Sequence, residues 1–441
     1  MASLDIVLAY PNPTEDSPVK LTPLSILYPG AMFEAEGKRV AYWDERWDSL
    51  EEFDTLVAAS RELGISAFTG TQAGRAASLI SRAKQRNPGL VVGVGGHHAR
   101  TCPTQVKGER FVDKVWTGNS YGEQLVPYHP HTRKFFSRGD MQYFTSRGCP
   151  YICAFCVLTS PWEPKPIPEI DTQLKTMHHD LGFTEISFSD PNIAVGAWRE
   201  NGKIERVERA RRLKQIGDVL RPLGVRWDGN IRTDYVTPEV VDALVASQCY
   251  SLEFGCESGN DRYLRDVMRK GHGVNAIRRA CENMKGSGIS VMYSFIHGAP
   301  HETPEMFLDT MELIDWIVAT DPLARVSVYE YAPYPGCPLY EDAVAGRDYA
   351  PAFVPPTTME GWGTLRLMRG PIYWIAGLNF RLDNTRKNFP GDTWALIEPY
   401  VQLAKAKWCA RDIASFPCAE VEAVIAAQQG VKLTGSDGPG P

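Results

Sequence analysis

The chain has 441 residues, of which 43% are hydrophobic and 23% charged, and its formal net charge at pH 7 is -6. This length exceeds one ordinary domain, so we expect two large units and a smaller terminal one. The acidic balance offers no basic surface that tracks phosphates, which argues against nucleic acid as a partner. The first residues lack a secretory signal, the ten cysteines are diluted over a long chain, and no apolar run spans a bilayer. We therefore expect a cytoplasmic protein with no integral membrane segment.

The N-terminal third alternates short apolar strands with amphipathic helices. The predicted strands are residues 4–9, 40–43, 65–68 and 90–94, and the predicted helices are residues 50–63 and 73–86. Gly64 is expected to stop the first helix, and the segment around Pro18 and Pro23 is expected to be a loop. This alternation predicts an α/β fold with a doubly wound, Rossmann-like sheet. Ligands of such sheets bind outside the carboxyl ends of the strands, where Gly70 and the pair Gly95-Gly96 fall.

Three cysteines stand at C-x-x-x-C-x-x-C spacing, directly after a strand-like run at residues 141–145. They are Cys149, Cys153 and Cys156. A structural zinc site normally closes with four ligands, and ordinary cubane clusters also use four cysteines. A triad without a local fourth partner therefore leaves one iron of a 4Fe-4S cluster open to bind a substrate. The alternatives are a zinc loop completed by a distant His or Cys, and three unrelated buried cysteines.

With Phe155 directly before its last cysteine, this motif resembles the signature of the radical S-adenosylmethionine (radical SAM) enzymes. The resemblance implies that the open iron is chelated by the amino and carboxylate groups of S-adenosylmethionine. An electron from the cluster then cleaves the sulfonium to give a 5'-deoxyadenosyl radical. It also implies an external electron donor of the flavodoxin or ferredoxin type.

From residue 142 to residue 333 a strand followed by a helix recurs about six times. The predicted strands are residues 142–145, 185–189, 225–232, 250–255, 289–297 and 325–332. Parallel strands with helical crossovers close toward a barrel whose active site lies at the carboxyl ends of the strands. Six units leave an open side, as in the partial (β/α)6 barrel of the radical SAM enzymes.

The second and third strands of this repeat end in polar residues that the resemblance assigns to S-adenosylmethionine. Ser189 and Asp190 fall where the family binds the methionine amino group, although the usual Gly-Gly-Glu is absent. Arg232 is a candidate partner of the methionine carboxylate, because a guanidinium pairs bidentately with a carboxylate. An ion pair between Arg232 and Asp234 is the structural alternative.

The later strands end in turns that match further family segments. Glu257 and Ser258 belong to a Gly-x-Glu-Ser turn that faces the ribose hydroxyls, and helix capping is the alternative for Ser258. His297 precedes a turn near the adenine. Tyr334 opens a segment that resembles Pro-Gly-Thr-Pro-Leu-Tyr, with Cys337 in place of threonine. The resemblance thus assigns eight residues to S-adenosylmethionine: Phe155, Ser189, Asp190, Arg232, Glu257, Ser258, His297 and Tyr334.

The domain that precedes the cysteine motif resembles the cobalamin-binding domain of the cobalamin-dependent radical SAM enzymes, in which a strand ends in Gly-Gly-x-His. The implied cobalamin contacts are Thr71, Gln72, Gly95, Gly96, His97, His98, Gly122 and Glu123. No Asp-x-His-x-x-Gly occurs, so the lower face of the cobalt would carry no histidine ligand, and residues near Gln72 would lie beneath it. The alternative for His97 and His98 is a pair of loop imidazoles bonded to the backbone.

The predicted units are a cobalamin-binding domain at 1–135, a radical SAM barrel at 136–340, a helical C-terminal region at 341–430 and a flexible tail at 431–441. Helices are predicted at 396–413 and 419–428. The many large aromatic residues of the C-terminal region form either a small helical core or a cap that keeps water from the barrel mouth.

These expectations converge on a cobalamin-dependent radical SAM methyltransferase that acts on an unactivated carbon of a small-molecule or peptide substrate. The cofactors would be a 4Fe-4S cluster, S-adenosylmethionine and cobalamin. One alternative keeps cobalamin but catalyses a cyclisation, ring contraction or rearrangement without methyl transfer. Another class is a non-catalytic metal-binding or electron-transfer protein. No residue is identified as a catalytic acid, base or hydrogen-atom donor.

Overall fold

A computed structural model describes residues 4–12, 22–118, 128, 130–137, 141–158, 160–195, 206–347 and 352–365. The strands are β1 Leu4–Tyr10, β2 Val40–Asp44, β3 Ser60–Ser66, β4 Val91–Gly95, β5 Lys114–Val115, β6 Gln142–Tyr143, β7 Ser146–Cys149, β8 Ser160–Pro164, β9 Glu185–Phe188, β10 Arg226–Ile231, β11 Cys249–Glu257, β12 Ser290–His297 and β13 Ala324–Glu330. The helices are α1 Leu24–Ala35, α2 Leu50–Ala58, α3 Thr71–Arg86, α4 His97–Thr101, α5 Pro103–Gly108, α6 Arg133–Ser137, α7 Ile167–Leu181, α8 Arg206–Leu220, α9 Pro238–Ala246, α10 Val274–Met284, α11 Pro304–Thr320, α12 Pro338–Val344 and α13 Met359–Gly363. Within these ranges, no helix combines the length and the apolar character needed to cross a bilayer.

The first unit is a five-stranded sheet in the order β2-β1-β3-β4-β5, and all its strand pairs are parallel. The side chains of β1 alternate between two layers, because successive residues of a strand point to opposite faces. Val7 and Ala9 pack with α2 and α3, whereas Ile6 and Leu8 belong to a core that continues into the second unit. The predicted doubly wound organisation of the N-terminal part is therefore confirmed.

Two local predictions in this unit are wrong. The helix predicted at residues 50–63 is α2, which ends at Ala58. Residues 60–66 form the central strand β3 instead of the last turn of that helix. Gly64 does not stop a helix: a Cβ atom there would lie 2.5 Å from Leu8 and 3.0 Å from the Trp116 ring, so glycine makes room for the layer packed on the sheet. The segment after Pro23 is not a loop but helix α1, whose buried residues include Leu27 and Tyr28.

The second unit is a six-stranded parallel sheet in the order β13-β12-β11-β10-β9-β6. Helices α7 to α11 connect or follow its strands, as expected for right-handed βαβ crossovers. In the described residues β13 and β6 do not pair, so the sheet stays open on one side, as predicted. The carboxyl ends of all six strands point to one edge, where the candidate site lies.

The two units are joined by apolar packing and by the segment that follows the second sheet. Helix α13 returns to the first unit and packs on α3, where Gly74 and Gly363 approach so closely that a Cβ on Gly74 would lie 2.5 Å from the Cα of Gly363. Trp362 is buried there and donates a hydrogen bond of 3.0 Å to Gln105. The helices predicted at 396–413 and 419–428, and the predicted tail, lie outside the described residues.

Candidate active site

The three cysteines lie in a loop that leaves a short antiparallel ribbon at the edge of the second sheet. Strand β7 ends at Cys149 and pairs with β8, and Arg147 forms an ion pair with Glu163 across the ribbon. Gly148 has a φ of 77°, a backbone conformation that favours glycine because it has no Cβ. The sequence predicted the strand before the motif but not the ribbon.

Both backbone groups of Ala154, at the centre of the cysteine loop, are held by other elements. Its N–H donates to the carbonyl of Met268, which lies beyond β11, at 2.9 Å. Its carbonyl accepts from Leu339 at the start of α12 at 3.0 Å. The loop between Cys153 and Cys156 is therefore fixed from both sides rather than left free.

The three cysteines form no disulfide in the described part of the chain, and their thiols are close enough to affect one another's pKa. Burial raises the pKa of Cys153, and it raises the pKa of Cys156 to about 11, with the neighbouring thiols adding to both effects. Lys270 and Arg232 act in the opposite direction on the pKa of Cys153, since cations favour a thiolate. Iron binding removes the thiol proton outright.

Within the described ranges, no three His, Cys, Asp or Glu side chains converge closely enough to hold one metal ion, so a zinc loop has no complete ligand set there. A cluster differs, because each cysteine binds a different iron and the sulfurs need not meet at one point. Three reduced cysteines in one clamped loop beside two cations thus fit a 4Fe-4S cluster. Their assignment as its ligands remains a prediction.

A buried network of charges and aromatic rings lies directly beside this loop. Arg232 donates to Asp234 at 2.9 Å and to the carbonyl of Lys270 at 2.7 Å, and its guanidinium lies 3.6 Å from the centre of the Tyr151 ring. Arg232 therefore forms the ion pair that the sequence left as its alternative. Its role toward the methionine carboxylate stays a prediction.

Lys270 continues this network toward the ribose turn. Its Nζ lies 2.6 Å from Glu257 Oε1 and 5.5 Å from the centre of the Phe155 ring, and both side chains of the ion pair are less than one tenth exposed. Glu257 has a φ of 67°, which turns its side chain back under the end of β11. Ser258 is buried, shares a hydrogen bond of 3.1 Å with Thr310 and accepts from the Asn260 N–H, whereas the Tyr263 N–H in the following helical turn donates to Asn260 Oδ1, so Asn260 and not Ser258 is the cap.

The end of β9 offers buried polar atoms with no partner. Asp190 is fully buried, and its carboxylate accepts from the N–H and hydroxyl of Thr145 and from the hydroxyl of Ser146, so it ties β9 to the cysteine ribbon. Ser189 Oγ and Asn192 Nδ2, by contrast, are buried without a hydrogen-bond partner in the described part of the chain. Buried polar groups are normally satisfied, so these two atoms suit a polar ligand such as the methionine moiety of S-adenosylmethionine.

The fifth strand ends in a buried, largely apolar pocket. His297 is fully buried, its ring packs edge-on to Phe307, and burial lowers its pKa to about 3. Glu302 accepts a hydrogen bond from the Gly298 N–H, and burial raises the pKa of its carboxyl to about 8. The position of His297 beside the adenine remains a prediction.

The carboxyl edge of the first sheet faces this site and carries two histidines. Thr69 Oγ1 lies 3.2 Å from Nδ1 of His97 and 3.1 Å from Nδ1 of His98, so the imidazoles share a side-chain partner rather than the backbone. Burial lowers the pKa of each histidine to about 4, which keeps both neutral. His98 Nε2 is buried without a partner in the described residues. Neutral imidazoles and a hydroxyl suit the amide side chains of a corrin.

Tyr334 joins the two units at this edge. Its ring lies 5.6 Å from that of Phe68 and 5.9 Å from that of His97, which stacks on Phe68 at 4.4 Å. Tyr334 thus contacts the proposed cobalamin side, whereas the sequence assigned it to S-adenosylmethionine.

The remaining predicted cobalamin residues differ in their surroundings. Gln72 accepts from the Phe68 N–H and donates to the carbonyl of Pro11. Its side chain therefore joins the segment after β3 to the segment after β1. Thr71 begins α3, Gly95 ends β4, and Gly96 lies between β4 and α4. Gly122 and Glu123 lie outside the described residues.

Sequence reasoning missed three residues of this site, namely Lys270, Thr69 and Asn192. Thr69 lies three residues after the end of β3 and Asn192 four after the end of β9, positions that would have brought them into consideration. Lys270 lies 13 residues beyond Glu257 and has no comparable signal.

Comparison with protein families agrees with this arrangement. The model described as "B12 binding domain" matches residues 14–123, and the "Radical SAM superfamily" model matches residues 143–314. The chain therefore carries a B12-binding domain followed by a radical SAM domain. The radical SAM domain implies a 4Fe-4S cluster and S-adenosylmethionine, and the B12-binding domain implies cobalamin.

Three curated relatives share part of the chain. An uncharacterised methyltransferase of Pyrococcus horikoshii is 28% identical over 46% of this chain and 42% of its own length. Bacteriochlorophyllide d C-12(1)-methyltransferase of Chlorobaculum tepidum is 23% identical over 48% and 44%. Anaerobic magnesium-protoporphyrin IX monomethyl ester cyclase of Rubrivivax gelatinosus is 28% identical over 45% and 34%. The chain thus spans less than half the length of each of these relatives.

Two solved structures share the fold across both units. The methyltransferase TsrM of Kitasatospora setae, solved with cobalamin and a [4Fe-4S] cluster, has a TM-score of 0.63 at 14% identity and covers 96% of this chain and all of its own. OxsB, a cobalamin-dependent S-adenosylmethionine radical enzyme solved with aqua-cobalamin and S-adenosylmethionine, has a TM-score of 0.65 at 14% identity over 97% and 75%. At this identity the likeness establishes the fold.

Proposed function

We propose that this protein is a cobalamin-dependent radical SAM methyltransferase that transfers a methyl group to an unactivated carbon. The single observation that carries the proposal is that one short segment contacts both groups: the Tyr334 ring lies 5.9 Å from that of His97, and the Leu339 N–H donates to the carbonyl of Ala154 in the cysteine loop. Two of the three relatives are named as methyltransferases, which supports the choice of reaction.

The cofactors supply the radical and the methyl group, and the chain supplies position and a dry environment. Cys149, Cys153 and Cys156 would hold the cluster. Ser189 and Asn192 offer polar atoms to the methionine end of S-adenosylmethionine, while Glu257, set by Lys270, faces its ribose. Thr69 orients the two neutral imidazoles toward cobalamin.

The three histidines assigned to this site are neutral at pH 7. His97, His98 and His297 all have their pKa lowered by burial to about 4 or below, so none is a proton donor at neutral pH. Burial in an apolar setting also excludes water, which would otherwise compete with substrate for the site.

The test is anaerobic reconstitution with iron, sulfide, S-adenosylmethionine, hydroxocobalamin and reductant. We expect 5'-deoxyadenosine and S-adenosylhomocysteine from the wild type, and neither product nor cluster-bound iron from the variant with alanine at all three cysteines. An iron content unchanged in that variant would refute the ligand assignment. Retained cobalamin binding in the same variant is the control for folding.

A second candidate is cyclisation without methyl transfer, and the named cyclase among the relatives is the observation that favours it. The same assay separates the two reactions. A cyclase releases 5'-deoxyadenosine without S-adenosylhomocysteine, whereas a methyltransferase consumes S-adenosylmethionine for both products.

A further inference from the structure

The cysteine loop exposes apolar side chains on its outer surface. Ile152, which directly precedes Cys153, is 71% exposed, and Leu158, two residues after Cys156, is 44% exposed. These are two of only six large hydrophobic side chains that are exposed in the described residues, yet both lie within one seven-residue stretch. Single exposed hydrophobics need no explanation, but a pair beside a redox centre points to a contact surface.

An unpaired cation lies on the segment that holds Ala154, two residues after Ile152. Arg269 follows Met268, whose carbonyl holds the Ala154 N–H, and it is exposed with no ion-pair partner among the described residues. Its φ of 50° is unusual for a residue other than glycine. That conformation presents the guanidinium outward while the neighbours Met268 and Lys270 face the site.

A second unpaired cation lies on the side of Tyr151. Tyr151 lines a cleft of about 480 Å³ together with Arg209, Arg279, His272 and two carboxylates, Asp261 and Asp234, of which Asp234 pairs with Arg232. Arg279 is exposed and makes no ion pair with the described residues. Inside the cleft, Tyr151 shares a hydrogen bond with Tyr235, which stacks against Arg209 at 3.4 Å. The cleft therefore leads from solvent to Tyr151, which lies two residues before Cys153.

We propose that Ile152, Arg269 and Arg279 form the docking surface for a flavodoxin, the electron donor of this enzyme. The exposed edge of a flavin is an apolar aromatic ring framed in such carriers by carboxylates, which matches one apolar contact between two arginines. The chain as a whole carries a net charge of -6, so a local basic patch is needed to steer an acidic carrier to the cluster loop.

The electron transfer balances without another reactant. The anionic flavin hydroquinone gives one electron to the oxidised cluster and becomes the neutral semiquinone, while the cluster becomes reduced and no proton moves. One such transfer precedes each cleavage of S-adenosylmethionine. This proposal rests on the function proposed above, because it assumes a cluster in the cysteine loop.

The first measurement is binding of oxidised flavodoxin to the reconstituted protein by calorimetry at low ionic strength. We expect the variant Arg269→Glu/Arg279→Glu to raise the dissociation constant at least about tenfold. The difference should fade near 1 M salt, where the screening length shrinks to about 3 Å. Lys107→Glu reverses one exposed charge in the first unit and should leave binding unchanged.

Backbone strain at Arg269 is separated from charge by a pair of further variants. Arg269→Asn accepts a positive φ and removes the charge, so it should weaken binding, whereas Arg269→Lys should retain most of it. If both weaken binding equally, the effect is conformational and the proposal is wrong.

The second measurement compares two reductants. With dithionite, which needs no docking, 5'-deoxyadenosine formation by the double charge-reversal variant should equal that of the wild type, and with flavodoxin it should require a higher carrier concentration. Absence of 5'-deoxyadenosine with dithionite in the wild type would overturn the proposed function itself. Equal flavodoxin affinity in wild type and charge-reversal variant would overturn the docking surface alone. Tighter, arginine-dependent binding of an oxidised ferredoxin than of flavodoxin would overturn the choice of partner.

Discussion

Removing the Lys270 cation should unfold the second unit at a much lower temperature, because it leaves Glu257 buried and uncompensated. At an effective dielectric constant of about 20, two unit charges 2.6 Å apart attract each other by about 6 kcal/mol. Burying the two ions costs several kcal/mol each, so the intact pair adds little net stability. Breaking such a pair from one side costs about 3–5 kcal/mol. At about 2–4 °C per kcal/mol for a unit of this size, Lys270→Met should lower the unfolding midpoint by about 6–20 °C.

Thermal unfolding followed by circular dichroism checks this prediction, with two comparisons. Adding Glu257→Gln to Lys270→Met removes the orphaned charge and should restore most of the lost stability. Lys175→Met removes the cation of an exposed pair with Asp171, and should change the free energy of unfolding by less than about 0.5 kcal/mol. If Lys270→Met lowers the midpoint no more than Lys175→Met does, then losing Lys270 does not leave a buried, uncompensated charge on Glu257, and the reasoning is wrong.

Two further predictions concern packing and pH. Gly74→Val places a side chain against the backbone of Gly363 and should release α13, which limited proteolysis would detect as faster cleavage near Trp362. Gly108→Val is the control, because a Cβ atom there meets no atom within 4 Å. Equal cleavage of the two variants would contradict the close approach. Burial raises the pKa of Glu302 from 4.5 to about 8, so the unfolded chain loses this proton first and wild-type stability should fall as pH rises from about 4.5 to about 8. Glu302→Gln keeps an acceptor for the Gly298 N–H and should flatten that slope in denaturant titrations, and an unchanged slope would assign the pH dependence to other groups.

The parts of the fold and site that local sequence patterns could predict are those whose cause is local. The cysteine motif is visible directly in the sequence. Short-range hydrophobic periodicity predicts the alternation of strands and helices in the second unit, and the structure has the six-stranded open sheet that this alternation indicates. Helix α2 was predicted too long because apolar residues continue past Ala58 at spacings that fit both a helix and a strand. Only the sheet decides between them, since β3 must lie between β1 and β4.

The segment Met268–Arg269–Lys270 shows what local patterns cannot reach. The carbonyl of Met268 fixes the cysteine loop, the ammonium of Lys270 neutralises Glu257, and its carbonyl receives Arg232. Each of these contacts joins residues that are distant in the chain, and Arg269, which lies between Met268 and Lys270, has a positive φ. No composition or periodicity marks such a position, because arginine in a polar segment usually predicts only a solvated surface. The roles of its two neighbours emerge only when the ends of β10 and β11 are brought beside the cysteine loop, where Met268 holds that loop and Lys270 pairs with Glu257, while the side chain of Arg269 is exposed.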